Sequence, residues 1–354
     1  MDILSNELWL QDIDCTIDSM PFLAELDGKS ILITGAAGLI CSSVADILIR
    51  YNETHNQKIF IKVAGRNTER LLKRFHPYSE KEYFQAVFYD AAENDELNIS
   101  CDYMIHGASN ASPNRIIREP VETMLSNFTG MYRLLDCAAR NHSKRILFIS
   151  SSEVYGKKST CEPFEENDYG FIDLLNPRNS YSIAKRTAET LCASYHAEYG
   201  VESVIVRPGH IYGPTASRTD NRVSSEWAYM AAAGKDIVMK SDGSQLRSYC
   251  YCLDCASAIL TVLLKGEALN AYNISSDECI ISIKDMASIL ADSGTVKLIR
   301  QEATAEERKA FNPMMNSSLN GDKLRNLGWR ACFSPDSGFL HTVEILKAVS
   351  FSTM

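Results

Sequence analysis

The chain has 354 residues, 45% of them hydrophobic, and a formal net charge of −9. That apolar content can bury the core of one large domain or of two joined ones and excludes a disordered chain, while the acid excess argues against nucleic acid as the main partner and leaves room only for local basic pockets that hold a diphosphate. Eleven cysteines without two C-x-x-C motifs paired at metal-like spacing predict reduced core thiols and no metal site.

The N-terminus, MDILSNELWLQDID, is acidic and lacks an uninterrupted apolar run, so neither a signal peptide nor a membrane span is expected and the cytoplasm is the default location. Apolar residues at helical spacing (Ile3, Leu4, Leu8, Leu10, Ile13, Ile17, Phe22, Leu23, Leu26) predict a helical extension over 1–27, packed on a neighbouring subunit or on the rim of the domain. From residue 28 short apolar runs alternate with helical stretches: strands are predicted at 30–34, 59–64, 86–90, 103–108, 145–150 and 203–208, and helices at 39–51, 120–141 and 181–199. Continuous Val/Ile/Leu runs separated by helices describe a parallel sheet covered on both faces, a doubly wound α/β fold over 28–208. Beyond Pro208 the pattern loosens into turns, a helix near 222–233, a strand at 237–240 and mixed elements; Cys250, Cys252 and Cys255 lie in a segment that reads as strand running into helix.

Two short motifs carry chemistry. In ILITGAAGLICSSV (31–44) an apolar strand meets a helix through a glycine-rich turn. Gly35 allows the tight turn and Gly38 lets backbone N–H groups approach a pyrophosphate at the helix N-terminus. Cys41 stands where a third glycine would serve helix–strand packing, a tolerable departure. In YSIAK (181–185), Tyr181 and Lys185 lie one helical turn apart. A phenol ionises near pH 10 in water, so one that must take a proton from a hydroxyl needs its anion stabilised, and Lys185 supplies a cation on the same helix face.

With the serine run ILFISSSEVYG (146–156), these motifs resemble the extended short-chain dehydrogenase/reductase superfamily over roughly residues 28–345. The resemblance implies a Rossmann-type domain over 28–208 and, over 209–354, mostly a smaller mixed α/β substrate lobe with segments returning to the first domain, and an activity on nucleotide-linked sugars with NAD or NADP through transient oxidation at sugar C4. It aligns Ser151 with the residue that hydrogen-bonds the reacting hydroxyl. Its cofactor contacts fall on Gly35, Ala37, Gly38, Leu39, Ile40, Arg66, Asp90, Ala91, Gly107, Ala108, Ser109, Asn127, Ser150, Tyr181, Lys185 and Pro208, with Asp90 meeting the adenine and Asn127 supporting the active-site strand and helix. After the second strand the chain reads VAGRNTER (63–70); an arginine at 66, with no acid before Glu69, suits the 2′-phosphate of NADP.

Ser152–Glu153 bears on the reaction. Sugar-nucleotide 4,6-dehydratases carry Asp-Glu there, 4-epimerases small or hydroxyl residues, and UDP-glucuronate decarboxylases Ser-Glu. Glu153 then assists proton transfer near C5, and similarity to the decarboxylases continues through NPRNSYSIAKRTAET (176–190), DNRVSSEW (220–227) and SDGSQLRSYCYCLD (241–254). Ser152, His210, Arg222 and Arg247 align with substrate contacts, although His210 replaces the asparagine of many relatives. A decarboxylase is the leading expectation; a 4-epimerase, a 4,6-dehydratase and a non-catalytic NADP-binding sensor or scaffold stay open. Relatives dimerise through the helices at 120–141 and 181–199, where Met124, Leu134, Leu135, Leu191 and Tyr195 are candidates for either that contact or the core.

Overall fold

The computed structural model describes residues 2–56, 58–93, 95–109, 111–304 and 314–351. Seven parallel strands form the central sheet in the order β10-β6-β5-β4-β1-β2-β3: β1 (Ser30–Thr34), β2 (Phe60–Gly65), β3 (Phe84–Phe88), β4 (Tyr103–His106), β5 (Arg145–Ile149), β6 (Ser203–Pro208) and β10 (Ala271–Ile274). β1, β5 and β6 are buried almost throughout, as strands covered on both faces must be. The order reverses between β1 and β4, both of which point their carboxyl ends into one crevice, where doubly wound sheets bind ligands.

One face carries α2 (Leu39–His55) and α8 (Cys252–Lys265); the other carries α5 (Pro120–Arg140), which follows the short α4 (Pro113–Arg118), and α6 (Ser180–Tyr199). α5 and α6 lie along each other. Strand β10 comes from far down the chain and pairs with β6 from Ala271 opposite Ile205 to Ile274 opposite Pro208, so the C-terminal part rejoins the first domain. The remainder of the lobe comprises α7 (Val223–Ala232), β8 (Ile237–Met239), α9 (Ile283–Gly294) and β12 (Leu298–Arg300), together with a three-stranded sheet of β11 (Ile280–Ser282), β9 (Leu246–Tyr251) and β7 (His210–Tyr212). A short α10 (Asp322–Asn326) and α11 (Pro335–Phe351) follow. No helix among the described residues is long and apolar enough to cross a membrane.

Several boundaries depart from the sequence expectation. The third strand ends at Phe88 rather than at 90, which leaves Tyr89 and Asp90 on the loop that faces the crevice. The strands expected over 103–108 and 145–150 stop at His106 and Ile149, freeing the small residues beyond them for close approaches.

The N-terminal extension, α1 (Glu7–Asp18) between two 3₁₀ turns, packs on α2, α8 and α11 of its own chain. Polar anchors fix it: Trp9 Nε1 donates to Asp46 on α2 at 3.1 Å, and Asp12 accepts from Tyr251 Oη at 2.9 Å and pairs with His341 Nδ1 at 2.9 Å. Arg74, from α3 (Thr68–Arg74), reaches the same Asp46 carboxylate at 2.5 Å. The carboxylates are buried, so each donor offsets a desolvation cost.

Candidate functional site

The strand β1 enters the glycine turn at the sheet's point of reversal. Gly35 has φ +72°, and a Cβ there would stand 2.8 Å from the backbone of Gly107 and Ala108. Two loops therefore cross in near contact, which only a residue without a side chain allows. Gly38 is the N-cap of α2 and presents the helix's free N–H groups to the crevice. Cys41 does fill the third glycine's place: a Cβ on Gly107 would meet its sulfur at 2.2 Å. The thiol has taken the space between α2 and the β4 loop, and Gly107 must remain bare to accommodate it.

Beside this crossing lies a cleft of about 390 Å³. Eight of the residues aligned with cofactor contacts line it, namely Gly35, Ala37, Gly38, Arg66, Asp90, Ala91, Ala108 and Ser109. Gly107 supports it from behind, and Leu39 and Ile40 sit in the first turn of α2. The residues that sequence reasoning missed on its walls are Gly65, Asn67, Arg70, Leu71, Tyr89, Ala92, Glu119, Glu122 and Ser126. Arg70 is the most telling: it stands in the first turn of α3, capped by Asn67, and its guanidinium donates to Ala37 O at 3.4 Å. The four-residue spacing from Arg66 was the available signal. The acids that line the cleft are Asp90, Glu119 and Glu122, and none of them belongs to the segment after β2.

Asn127 is fully buried; it accepts from Ser109 Oγ at 2.9 Å and donates to Thr123 O at 2.8 Å. It thus ties the loop after β4 to α5. The Ser150 hydroxyl donates to Glu189 at 2.5 Å. Pro208 ends β6, buried against Ile274.

The second motif converges on the neighbouring end of β5. Ser151 caps the 3₁₀ turn Ser152–Tyr155, accepting from Glu153 N at 3.2 Å. Tyr181 and Lys185 open α6 and are both buried. The Lys185 ammonium donates to Ile149 O at 2.7 Å and lies over the rings of Phe148 and Tyr181, 4.6 and 5.6 Å from their centroids. Burial pushes it down to about 7, against the pull of Glu189 one turn on and of Cys41. Burial pushes the Tyr181 phenol up to about 12; Ser151, in hydrogen-bonding contact, draws it back, Glu153 raises it and Arg222 lowers it. Ser151, Glu153, Tyr181 and Arg222 thus act on one another, and Ser182 Oγ steadies Glu153 Oε2 at 3.2 Å.

The lobe brings its cations to the same place. Arg222, at the N-cap of α7, pairs with Asp220. Arg247 on β9 is buried, its guanidinium donating to Leu246 O and Met314 O at 2.7 and 3.1 Å. The His210 ring packs on Tyr249 at 5.4 Å between centroids. His210 is exposed at the start of β7; desolvation in the crevice, then Arg247, then Arg222 lower its imidazole from the ordinary value, which favours the neutral ring beside two arginines.

A buried network backs the site. Arg207 grips Glu189 at 3.0 and 2.6 Å and donates to Tyr155 Oη at 3.1 Å and Glu166 O at 2.7 Å; Tyr155 Oη in turn donates to Asn273 at 2.5 Å. Among the described residues no group of three or more His, Cys, Asp or Glu side chains is placed to hold a metal ion.

The buried ammonium makes stability depend on pH. Its folded value of about 7 lies below the 10.5 of a free lysine, so between those values the unfolded chain binds more protons and stability rises with pH. The stability of Lys185→Met relative to the parent should therefore be greatest below pH 7 and fall as the pH rises toward 10.5, on top of a constant offset from the lost bond to Ile149 O. Urea midpoints at stepped pH check this; a difference that stays flat would contradict it.

Comparison with known proteins adds a family. Over residues 31–275 the chain matches the model of the NAD dependent epimerase/dehydratase family. UDP-glucuronic acid decarboxylase 1 of Danio rerio is 32% identical over 327 residues, which are 91% of this chain and 74% of that protein. A trifunctional UDP-glucose 4,6-dehydratase/UDP-4-keto-6-deoxy-D-glucose 3,5-epimerase/UDP-4-keto-L-rhamnose-reductase of Arabidopsis thaliana is 29% identical over 91% of this chain, which spans only 48% of its length. Among solved structures, the epimerase Mth375 of Methanothermobacter thermautotrophicus superposes with a TM-score of 0.78 at 20% identity, covering 94% of this chain and 96% of the other, and shares the fold. With the family model matched from β1 through β10, across all seven strands of the central sheet, the chain belongs to the NAD dependent epimerase/dehydratase family.

Proposed function

We propose that this protein oxidises a carbinol of a nucleotide sugar transiently at C4 and that the ketone then drives decarboxylation of a UDP-glucuronate-like substrate. The observation that carries this reading is the convergence of Tyr181, Lys185, Ser151 and Glu153 at the end of β5, beside the cleft and facing two arginines of the lobe.

The cleft fits a nicotinamide dinucleotide: the bare Gly35 crossing and the N-terminus of α2 suit a pyrophosphate, and Asp90, Ala91 and Ser109 line the far end. Held there, such a cofactor would accept a hydride from the sugar carbon. The chain's own groups manage the protons. Tyr181 takes the hydroxyl proton, Ser151 orients that hydroxyl, and Lys185, one turn on, favours the phenolate that results. Arg222 and Arg247 suit a substrate that bears both a diphosphate and a carboxylate, because a guanidinium fork matches either. A sugar acid oxidised at C4 is a β-keto acid, which loses CO₂ as the ketone takes up the electrons, and Glu153 then handles the proton near C5. Ser152 supplies no acid to expel water, which disfavours a dehydratase.

Arg66 and Arg70 both line the cleft beyond β2, and two guanidinium groups there support NADP over NAD. The protein also pairs with a second copy. Along α5, Val121, Met124, Leu125, Phe128 and Tyr132 form a stripe that is 42–62% exposed, with the helical spacing of a bundle face. Of the residues named from sequence, Leu134, Leu135 and Tyr195 are buried in the core and Met124 belongs to this stripe.

Four experiments test these readings. Incubation with UDP-, dTDP-, CDP- and GDP-sugars, UDP-glucuronate included, should give loss of CO₂ by mass from the uronate. Unchanged mass with an inverted carbinol would replace the decarboxylase with an epimerase, and loss of water with a dehydratase. Tyr181→Phe should cut turnover by about 10²–10⁴-fold while leaving cofactor affinity intact; retained turnover would remove the catalytic assignment. Arg66→Ala should weaken NADP binding by about tenfold, roughly 1.4 kcal/mol, and leave NAD binding nearly unchanged in calorimetric titration. Light scattering should find a dimer that Phe128→Glu converts to a monomer.

A further inference from the structure

One face of α5 receives the loop that follows β3. Gly130, Arg133, Cys137 and Arg140 recur at the spacing of a helix face, and each meets that loop. A Cβ on Gly130 would stand 2.8 Å from the Ala91 methyl and 3.1 Å from Tyr89 Oη, which donates to Gly130 O at 3.0 Å. Arg133 is buried, with its guanidinium carbon 5.6 Å from the centroid of the Tyr89 ring. Its Nη1 donates to Asp90 O at 2.6 Å and its Nε to Asp95 O at 2.7 Å. Farther along, Cys137 Sγ donates to Ile99 O at 3.3 Å and Arg140 Nη2 to Leu97 O at 2.9 Å. A buried guanidinium is costly to desolvate. Here its fork of N–H groups is directed at main-chain carbonyls, so what it secures is the course of the backbone.

The loop so held is a wall of the cleft, lined by Tyr89, Asp90, Ala91 and Ala92. Asp90 Oδ1 accepts from Ala92 N at 3.0 Å, which orients the carboxylate, and its other oxygen can accept from a donor in the cleft. We infer that Arg133 is a positioning residue for recognition of the cofactor's base: by fixing the main chain at Asp90 it places that carboxylate to accept from the exocyclic amine of adenine. The inference rests on the reading of the cleft as a dinucleotide site with Asp90 at its adenine end. Arg133 is not among the residues that line the cleft, so its effect passes through the Asp90 carbonyl. A site built to accept from an amine rejects a base that presents a carbonyl oxygen there, because two acceptors then face each other. Hypoxanthine is such a base. Removing the guanidinium releases the loop from α5 and blunts this discrimination, while the turn at Gly35 and Gly38, which suits the pyrophosphate, belongs to another loop and stays in place.

The test is calorimetric titration of the full chain with NAD or NADP, whichever binds the more tightly, and with the analogue of that dinucleotide in which hypoxanthine replaces adenine. The parent should prefer adenine by about tenfold or more. Arg133→Met should bind the adenine dinucleotide about tenfold more weakly and the hypoxanthine one within about twofold of the parent, so that the preference collapses toward one. Gly130→Ala reaches the same end by another route, since its methyl must push Ala91 away from α5, and alanine is the better helix former; its preference should fall as well. This second variant decides the matter where Arg133→Met fails to fold. A preference that survives in the variants, whether both affinities hold or both weaken in parallel, would overturn the role of Arg133 and leave adenine at Asp90. Equal binding of the two dinucleotides by the parent would instead remove adenine from Asp90, and the inference with it. Binding of neither by the parent would remove the dinucleotide reading of the cleft on which both depend.

Discussion

Burying the Lys185 ammonium is the constraint on which the rest of the site depends. It has one carbonyl, Ile149 O, two aromatic faces and, at a distance, the charge of Glu189. A cation so placed is costly unless its surroundings are fixed in advance. Glu189 is fixed by Arg207 and Ser150, and Arg207 by Tyr155 and the carbonyl of Glu166. The ion pair at the centre of this network joins α6 to β6, and through Tyr155 and Asn273 to β10. The strand that returns from the C-terminal part is thus tied to the helix that carries Tyr181 by polar as well as apolar contacts. Stability given up at the ammonium is recovered in its supports, a pattern typical of sites shaped for chemistry.

The other half of the site rests on a steric limit. Where β1 and β4 leave the sheet, the turn at Gly35 and the loop at Gly107–Ala108 cross so closely that a single methyl would collide. Cys41 takes up the remaining space. Packing of that density fixes the first turn of α2 relative to the loop after β4, and so fixes the donors that face the cleft. The N-terminal helix extends this support: through Trp9 and Asp46 it braces α2 from outside the sheet.

The lobe contributes charge where the sheet contributes shape. In an acidic chain, Arg222 and Arg247 are brought to the mouth of the site, and their joint field with desolvation favours a neutral His210. A cationic pocket with one neutral imidazole accommodates an anionic ligand while retaining a group able to donate or accept a hydrogen bond. The exposed stripe on α5 is a third use of the same helix layer, since its inner face packs on the sheet through Leu134 and Leu135.

By itself the sequence determined the alternation of strand and helix, the glycine turn from 35 to 38 and the one-turn spacing of Tyr181 and Lys185, because each depends on local geometry and on side-chain periodicity. The family followed from those motifs. Tertiary structure alone decided that the N-terminal helix packs on its own chain, that Ser150 turns to Glu189, that Asn127 holds Ser109, and that Arg70 joins Arg66 on the cleft wall. It also decided which residues of α5 are core and which are exposed, and that Asp12 meets His341 across more than three hundred residues of chain. Contacts between residues so far apart in sequence leave no periodic trace; they arise only when layers pack, and the space and charge left between those layers select the partners.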